Sequence, residues 1–425
     1  MRSRDGAAES SWPCRRALWI IVVGLVVALG VARPVSAALF ICASGDVACL
    51  IAAINTANAN GESNLIRLGA GTFTLTAVNN DTDGSNGLPS VTSPLTIGGF
   101  GAGNTIIERA ATAPLFRVFH VGQSGLLNLE DVTIRGGRWG GQVAFGGGGI
   151  LNLGTTVITH SDVTDNVTTS QGGGLLRGGG GGIASLGRLF IADTIVANNL
   201  AGLGRGGGIF SPSAVTVINS TIRGNQAEDA GGGIAISNAA GSVTIIGSTI
   251  ADNQVGGGHG GGLHSESSAV AIVNTTFAEN GANSGFGGGL FVAGGVVVNA
   301  TIANNHSDAG GRALAATSAL ALHNTIVSGP SDPFAFACHG QVTSLDNNLF
   351  FDPACAVALL AHDRTGDPGL GDFIETGTPG RGFFLLAGNS QALDAGDNAA
   401  CLPADQRGRL RTGGCDIGAI EGVEP

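Results

Sequence analysis

Two acidic residues, Asp252 and Glu279, each precede an Asn in matching stretches, STIADNQ and TTFAENG. If the two stretches stack as adjacent layers of one structure, their carboxylates lie roughly 5 Å apart. Such a pair suits a cation or the two carboxyl groups of a retaining glycoside hydrolase. His259, His264 and Glu266 follow closely in sequence. The plainer reading is that both acids face water on an acidic protein, where like charges need only solvent screening, and this reading is favoured. NNDTDGSNG (79–87) has the look of a calcium loop but lacks a Glu at its twelfth position, and reads better as a turn-rich connector. No CxxC or Cys/His spacing supports a metal. No catalytic residue, metal site or cofactor is assigned.

The elements that must position these residues repeat. Aligned on the apolar residue of TIxxN, the blocks fall at Ile134, Val163, Ile195, Ile222, Ile250, Phe277, Ile302 and Ile326, at intervals of 24 to 32 residues. A period of this size means a solenoid or a propeller. Each unit is dense in Gly, Val, Ile and Thr, which disfavour helix and suit strands. A propeller blade of ~40 residues is too long for these units, and leucine-rich and calcium-binding nonapeptide frames are missing. Residues 231–254, GGGIAISNAAGSVTIIGSTIADNQ, hold three strands, GIAIS, SVTII and STIAD, separated by turn residues. Each coil stacks on the next, so the fold class is all-β: a parallel β-helix, right-handed by crossover chirality. Asn166, Asn198, Asn225, Asn253, Asn280 and Asn305 close the coils. An Asn tolerates the left-handed backbone of such a bend, and stacked amides can form an axial ladder. The sequons at Asn219 and Asn274 read as parts of this repeat rather than as glycosylation sites.

Open strand edges at the two ends of a solenoid need covering. DVACLIAAINTANANG (46–61) predicts a helical lid, with Val47, Leu50, Ile51, Ile54 and Ala57 on one face, Asp46 as N-cap and Gly61 as stop. The expected organisation is a signal peptide over 1–37, an N-terminal cap with its helix over 38–64, repeats over 65–335 and a C-terminal end and cap over 336–425. Arg15 and Arg16, the apolar run 17–32 and VSA at 35–37 carry the leader assignment. The apolar run is shorter than the ~20 residues of a membrane span, so the mature chain is expected to start near Ala38. It would hold six cysteines, an even number that implies disulfides in a secreted chain. Their close pairs suggest Cys42–Cys49, Cys338–Cys355 and Cys401–Cys415, although six cysteines allow 15 connectivities. The net charge of −11, with no Lys, argues against nucleic acid or an anionic membrane as partner.

Several of these segments resemble known families. GDVACLIAAINTANANGESNLIRLGAGTFTLT, with LTIGGFGAGNTII and FRVFHV, is similar to the N-terminal region of bacterial CSLREA-type β-helix surface proteins; the six letters fall on ACLIAA (48–53), with the Arg and Glu replaced. ALDAGDNAACLPADQRGRLRTGGCDIGAIE (392–421) resembles the choice-of-anchor Q domain, through Asp405–Gly408 and Cys415–Ala419, and CHGQVTSLDNNLFFDPAC (338–355) fits the same family. The GGGI and FAEN units resemble those of polymorphic outer-membrane proteins. The resemblance implies a secreted or cell-surface β-helix and no established chemistry. The chain ends GAIEGVEP without a visible anchor, so release or non-covalent association is expected. GHG at 258–260 resembles a polygalacturonase fragment, but the Asp-Asp and Arg-x-Lys elements of that family are absent. The expected function is therefore non-catalytic adhesion or binding of an extracellular glycan or cell-envelope component. The alternative is a polysaccharide lyase or glycoside hydrolase. The oligomeric state is left open by the sequence.

Overall fold

The computed structural model describes residues 38–141, 146–169, 179–329, 336–356 and 358–422; the leader expected over 1–37 lies outside them. β-Branched residues alternate in and out along short strands, and these strands wind into a parallel solenoid of about 11 turns. The inward side chains form one continuous apolar column, from Leu50, Ile66 and Phe73 through Ile134, Ile222, Ile250 and Phe277 to Ile302 and Phe350.

The coil over 231–254 displays the unit. It has four strands, Ile234–Ile236, Ser242–Ile246, Thr249–Ala251 and Gln254–Val255, where the sequence predicted three. The fourth is two residues long, too short for any periodic signal, and lies in what reads as a turn. Among the described residues, first and second strands share a 19-stranded sheet, third strands form a 12-stranded sheet and fourth strands a 7-stranded one. Register is strict: Ile222, Ile250, Phe277 and Ile302 stack in line.

Three turns close each coil. The glycine turn starts with a left-handed Gly, such as Gly231 at φ 60°, a conformation open to Gly at little cost. The next glycine is required for a different reason. A Cβ on Gly232 would lie 2.5–2.6 Å from backbone atoms of Gln254 and Gly261, so successive turns touch backbone to backbone. The turn after the second strand carries left-handed residues at His160, Asp193, Asn219, Gly247 and Asn274. A hydroxyl follows each, and these bond along the axis: Ser161 N to Thr194 Oγ1, Thr194 N to Ser220 Oγ and Ser220 N to Ser248 Oγ.

The turn after the third strand holds the amide ladder. Asn166, Asn199, Asn225, Asn253, Asn280 and Asn305 are linked Nδ2 to Oδ1 at 2.9–3.0 Å. Asn199, not Asn198, is the ladder member. Asn198 sits one residue earlier, left-handed at φ 54° and exposed, with Asp165, Gly224, Asp252, Glu279 and Asn304 at the same place in other coils. The reversal of the backbone and the burial of the amide thus fall on two successive residues. The first must accept positive φ; the second must turn inward.

At the N-terminal end, helix α1 (Val47–Asn60) lies over the first coil. Asp46 accepts from Cys49 N, Gly61 ends the helix at φ 67°, and Leu50, Ala53, Ile54 and Ala57 are buried. Val47 and Ile51 are only half-buried. Disulfides join Cys42–Cys49, Cys338–Cys355 and Cys401–Cys415. Beyond the last rung at Arg364–Thr365 the chain turns back. An antiparallel hairpin (Leu370–Ile374, Phe383–Leu386) and the segment to Gly422 run along the outer side of the 12-stranded sheet.

Candidate functional site

The returning tail creates a cleft. Its docking is read off the outward Thr of successive third strands. Thr221 Oγ1 accepts from Gly380 N at 2.9 Å, and Thr249 Oγ1 exchanges bonds with Gly382 at 2.8 and 3.0 Å. Thr276 Oγ1 donates to Gln406 Oε1 at 2.6 Å, and Thr301 Oγ1 accepts from Ala419 N at 3.1 Å. Beside this column Ala251, Ala278 and Ala303 pack against Phe384. In the two preceding coils the Thr position holds Ile195 and Asp162, which donate nothing to the tail. There the side of the solenoid is open.

The cleft that results measures about 810 Å³. One wall is tail, Gly377–Pro379 with Arg381 and Leu402–Gln406; the other is the column of left-handed turn residues. That column presents His160, Asp193, Asn219, Gly247 and Asn274, one per coil, at a rise of ~4.8 Å. Asp162 and Ile195 form the floor. Burial pushes the Asp162 carboxyl above its ordinary value, against the pull of the Arg223 guanidinium. Asp405 is no free acid. Its carboxylate accepts from the amides of Arg407, Arg409 and Glu421 and from the Arg407 guanidinium, and so folds the tail. Arg411 likewise holds Glu421 at 2.9 Å and Asn274 at 3.4 Å.

Asp252 and Glu279 do occupy one position of adjacent coils, preceded by the paired residues Ala251 and Ala278. They lie at the amide-ladder turn, whereas the cleft borders the turn after the second strand. The tail brings Glu375 to them, and Glu375 is paired with Arg223 at 2.8 Å. Burial, then the charges of Asp252 and Glu375, push the Glu279 carboxyl up. Among the described residues no three His, Cys, Asp or Glu are arranged to hold a metal ion.

His259, His264 and Glu266 do not join the two acids. They belong to the glycine turn, the first strand (Leu263–Ser265) and the residue that follows it. The His259 ring stacks on Phe291 at 4.5 Å, and its Nδ1 accepts from Phe286 N at 2.9 Å. His264 also stacks on Phe291, at 5.2 Å. Burial, with the nearby Arg205 cation and the His259 ring, lowers its pKa to about 3, so it is neutral. Glu266 pairs with Arg205 at 2.5 Å. GHG is therefore part of an aromatic stack. The connector 79–87 is structural too: Arg117, 0 % exposed, bonds Asp83 O and Asn86 Oδ1 and lies over the Trp139 ring.

The sequence did not reveal the cleft, because half of its lining comes from a tail outside the repeat. Its other half recurs in the sequence as a dipeptide (HS, DT, NS, GS, NT) before each third strand, a part of the repeat with no chemistry marked on it. Neither a curated protein nor a solved structure gives a match. The family described as right handed beta helix region matches residues 118–350. Domains of this kind occur in surface proteins and in glycan-acting enzymes such as pectate lyases. The match takes in more than half of the chain and runs from the first regular coils to the last, and the chain therefore belongs to the right-handed β-helix family.

Proposed function

We propose that this chain is a non-catalytic extracellular binding protein that takes an extended glycan in the cleft beside its tail. The cleft carries the reading: four of five successive coils present a polar side chain, His160, Asp193, Asn219 and Asn274, with Gly247 between the last two, at a rise of ~4.8 Å per coil. A chain of pyranose rings offers hydroxyls at a comparable repeat. Ile195, Pro379 and Leu402 add apolar surface for ring faces. Pockets of this composition, mostly apolar with a few placed polar groups, are the usual ligand sites. The extracellular placement rests on three disulfides and on the leader-like residues 1–37. The resemblance to CSLREA and choice-of-anchor surface proteins points the same way.

A hydrolytic reading has one specific observation behind it, Asp162, whose raised carboxyl sits on the cleft floor as a general acid would. One experiment separates the two. The full chain is titrated with a panel of soluble neutral and acidic polysaccharides, and the same mixtures are assayed for new reducing or unsaturated ends. Binding without cleavage is expected. Asp193→Gly keeps the left-handed backbone and deletes the carboxylate; it should weaken binding about tenfold, as loss of one hydrogen bond to a charged group does. Binding indifferent to Asp193→Gly and to His160→Gly would remove the cleft from consideration. Product release abolished by Asp162→Asn would establish the enzyme instead.

A further inference from the structure

The 19-stranded sheet presents a second feature, which shares Ile246 with the cleft lining. The second strands of six successive coils, from Thr155–Thr159 to Gly295–Val298, form a flat outer face. Its central row is Val157, Phe190, Thr216, Thr244, Ala271 and Val296, and each is partly exposed. A parallel row runs Thr159, Ala192, Ile218, Ile246, Val273 and Val298. Neither row contains a charge, in a chain of net charge −11; Arg188 stands at the edge. In the middle coils the tail's contacts end at the turn residues Asn219, Gly247 and Asn274, which border this face.

We infer that this face is the interface of an antiparallel homodimer. A second copy fits for three reasons. First, like-charged chains can approach at low cost only where both are neutral. Second, the area suffices: six coils at ~4.8 Å and strands of ~17 Å give ~500 Å² per copy, or ~1,000 Å² in all, the lower bound for a specific interface. Third, the row is complementary to its own reverse. A twofold axis parallel to the strands, passing between the rungs of Thr216 and Thr244, lays each row on the same row of the partner in reversed order. Phe190 then meets Ala271, Val157 meets Val296, Thr216 meets Thr244 and Ile218 meets Ile246. The one large ring of the central row is opposite its one Ala, and the isologous contact closes as twofold interfaces do. No other axis position puts Phe190 against Ala271.

The test is sedimentation equilibrium of the full chain over a concentration series. Reversible association to twice the chain mass is expected. Ala271→Phe sets two rings against each other and should weaken association at least tenfold, and Thr244→Arg should do the same by placing cations at the centre. In the swapped variant Phe190→Ala/Ala271→Phe the knob and the hole exchange places, and association should return. Within one copy these two positions are three rungs apart and cannot compensate each other. Unchanged thermal midpoints establish that each variant is folded. A wild-type chain that stays monomeric overturns the proposal and leaves the face to a different partner. Association indifferent to Ala271→Phe, or not restored by the swap, overturns it as well.

Discussion

Glu279 is the residue at which local strain and charge coincide. It holds a left-handed backbone, φ 57°, where other coils place Asp, Asn or Gly. A long unbranched side chain gains nothing there from local hydrogen bonding. Burial and the neighbouring acids Asp252 and Glu375 raise its carboxyl above the ordinary 4.5. Below that value the side chain is neutral in both folded and unfolded chains and contributes no pH dependence. As pH rises through 4.5 the unfolded chain releases its proton first, while the folded chain retains it until its own, higher value is reached. Stability is lost across that window. Glu279→Gln removes the charge and keeps the shape and the backbone. Thermal midpoints of the two proteins should coincide on the acid side of 4.5 and diverge above it, with the variant the more stable. A constant offset at all pH values would mean that the carboxylate is not what destabilises this turn. The sequence placed Asp252 and Glu279 in one column because that column follows from the period. It gave no hint of Glu375, which arrives from a segment almost a hundred residues further along.

Each bend of the coil is set by two or three residues, and the ladder turn is the clearest of them. Asn253 accepts from the amide of Asn225 and from its Nδ2, and donates to Ile222 O and Asn280 Oδ1, at 2.9–3.1 Å and fully buried. Asn253→Ala leaves the amide and one Nδ2 hydrogen of Asn225 without their acceptor and takes the Nδ2 donor from Ile222 O, while Asn280 Oδ1 keeps the Asn253 amide. Each buried orphan costs ~1–3 kcal/mol, partly relieved where water enters, so a loss of about 3 kcal/mol is expected from denaturant unfolding. Asn198→Gly, at the left-handed but exposed position of another coil, should change stability by less than about 0.5 kcal/mol, since Gly accepts that backbone readily. Equal effects at the two sites would erase the division of labour between reversal and ladder. This division explains what sequence reading could reach. Seven intervals of similar length and alternating β-branched residues carry the solenoid, because stacking demands them at every coil. Whether Asn198 or Asn199 enters the ladder depends on one residue of register. The two-residue fourth strand exists only because its neighbours above and below pair with it.

On the scale of the whole molecule, the solenoid and its tail obey different rules. Contacts within the solenoid join residues one period apart and are written into the sequence as repetition. Tail contacts join Thr249 to Gly382 and Gln406, and Thr301 to Ala419, across 118 to 157 residues, and repeat nothing. The Thr column that receives them was legible only as outward polarity. Gln406 concentrates the docking. Its Oε1 accepts from Thr276, and its Nε2 donates to Thr249 Oγ1, Gly380 O and Gly382 O, with 5 % of the residue exposed. One side chain thus ties the hairpin tip and the segment after Leu402 to the same two rungs. A solenoid is stabilised by nearest-neighbour terms, so the tail should open without unwinding the coils beneath it. Gln406→Ala forfeits bonds worth about 2 kcal/mol, which raises the opened population roughly thirtyfold. Hydrogen exchange should read this directly. The amides of Gly380 and Gly382, which donate to Thr221 and Thr249, should exchange roughly thirtyfold faster in the variant. The core amides of Ile272 and Phe277 should keep their rates. Acceleration of both sets together would make tail and solenoid one cooperative unit, and the cleft between them a fixed part of the fold. Acceleration of the tail amides alone would make the cleft wall a movable one, held over the open rungs of Asp162 and Ile195 by the Thr column that those two rungs lack.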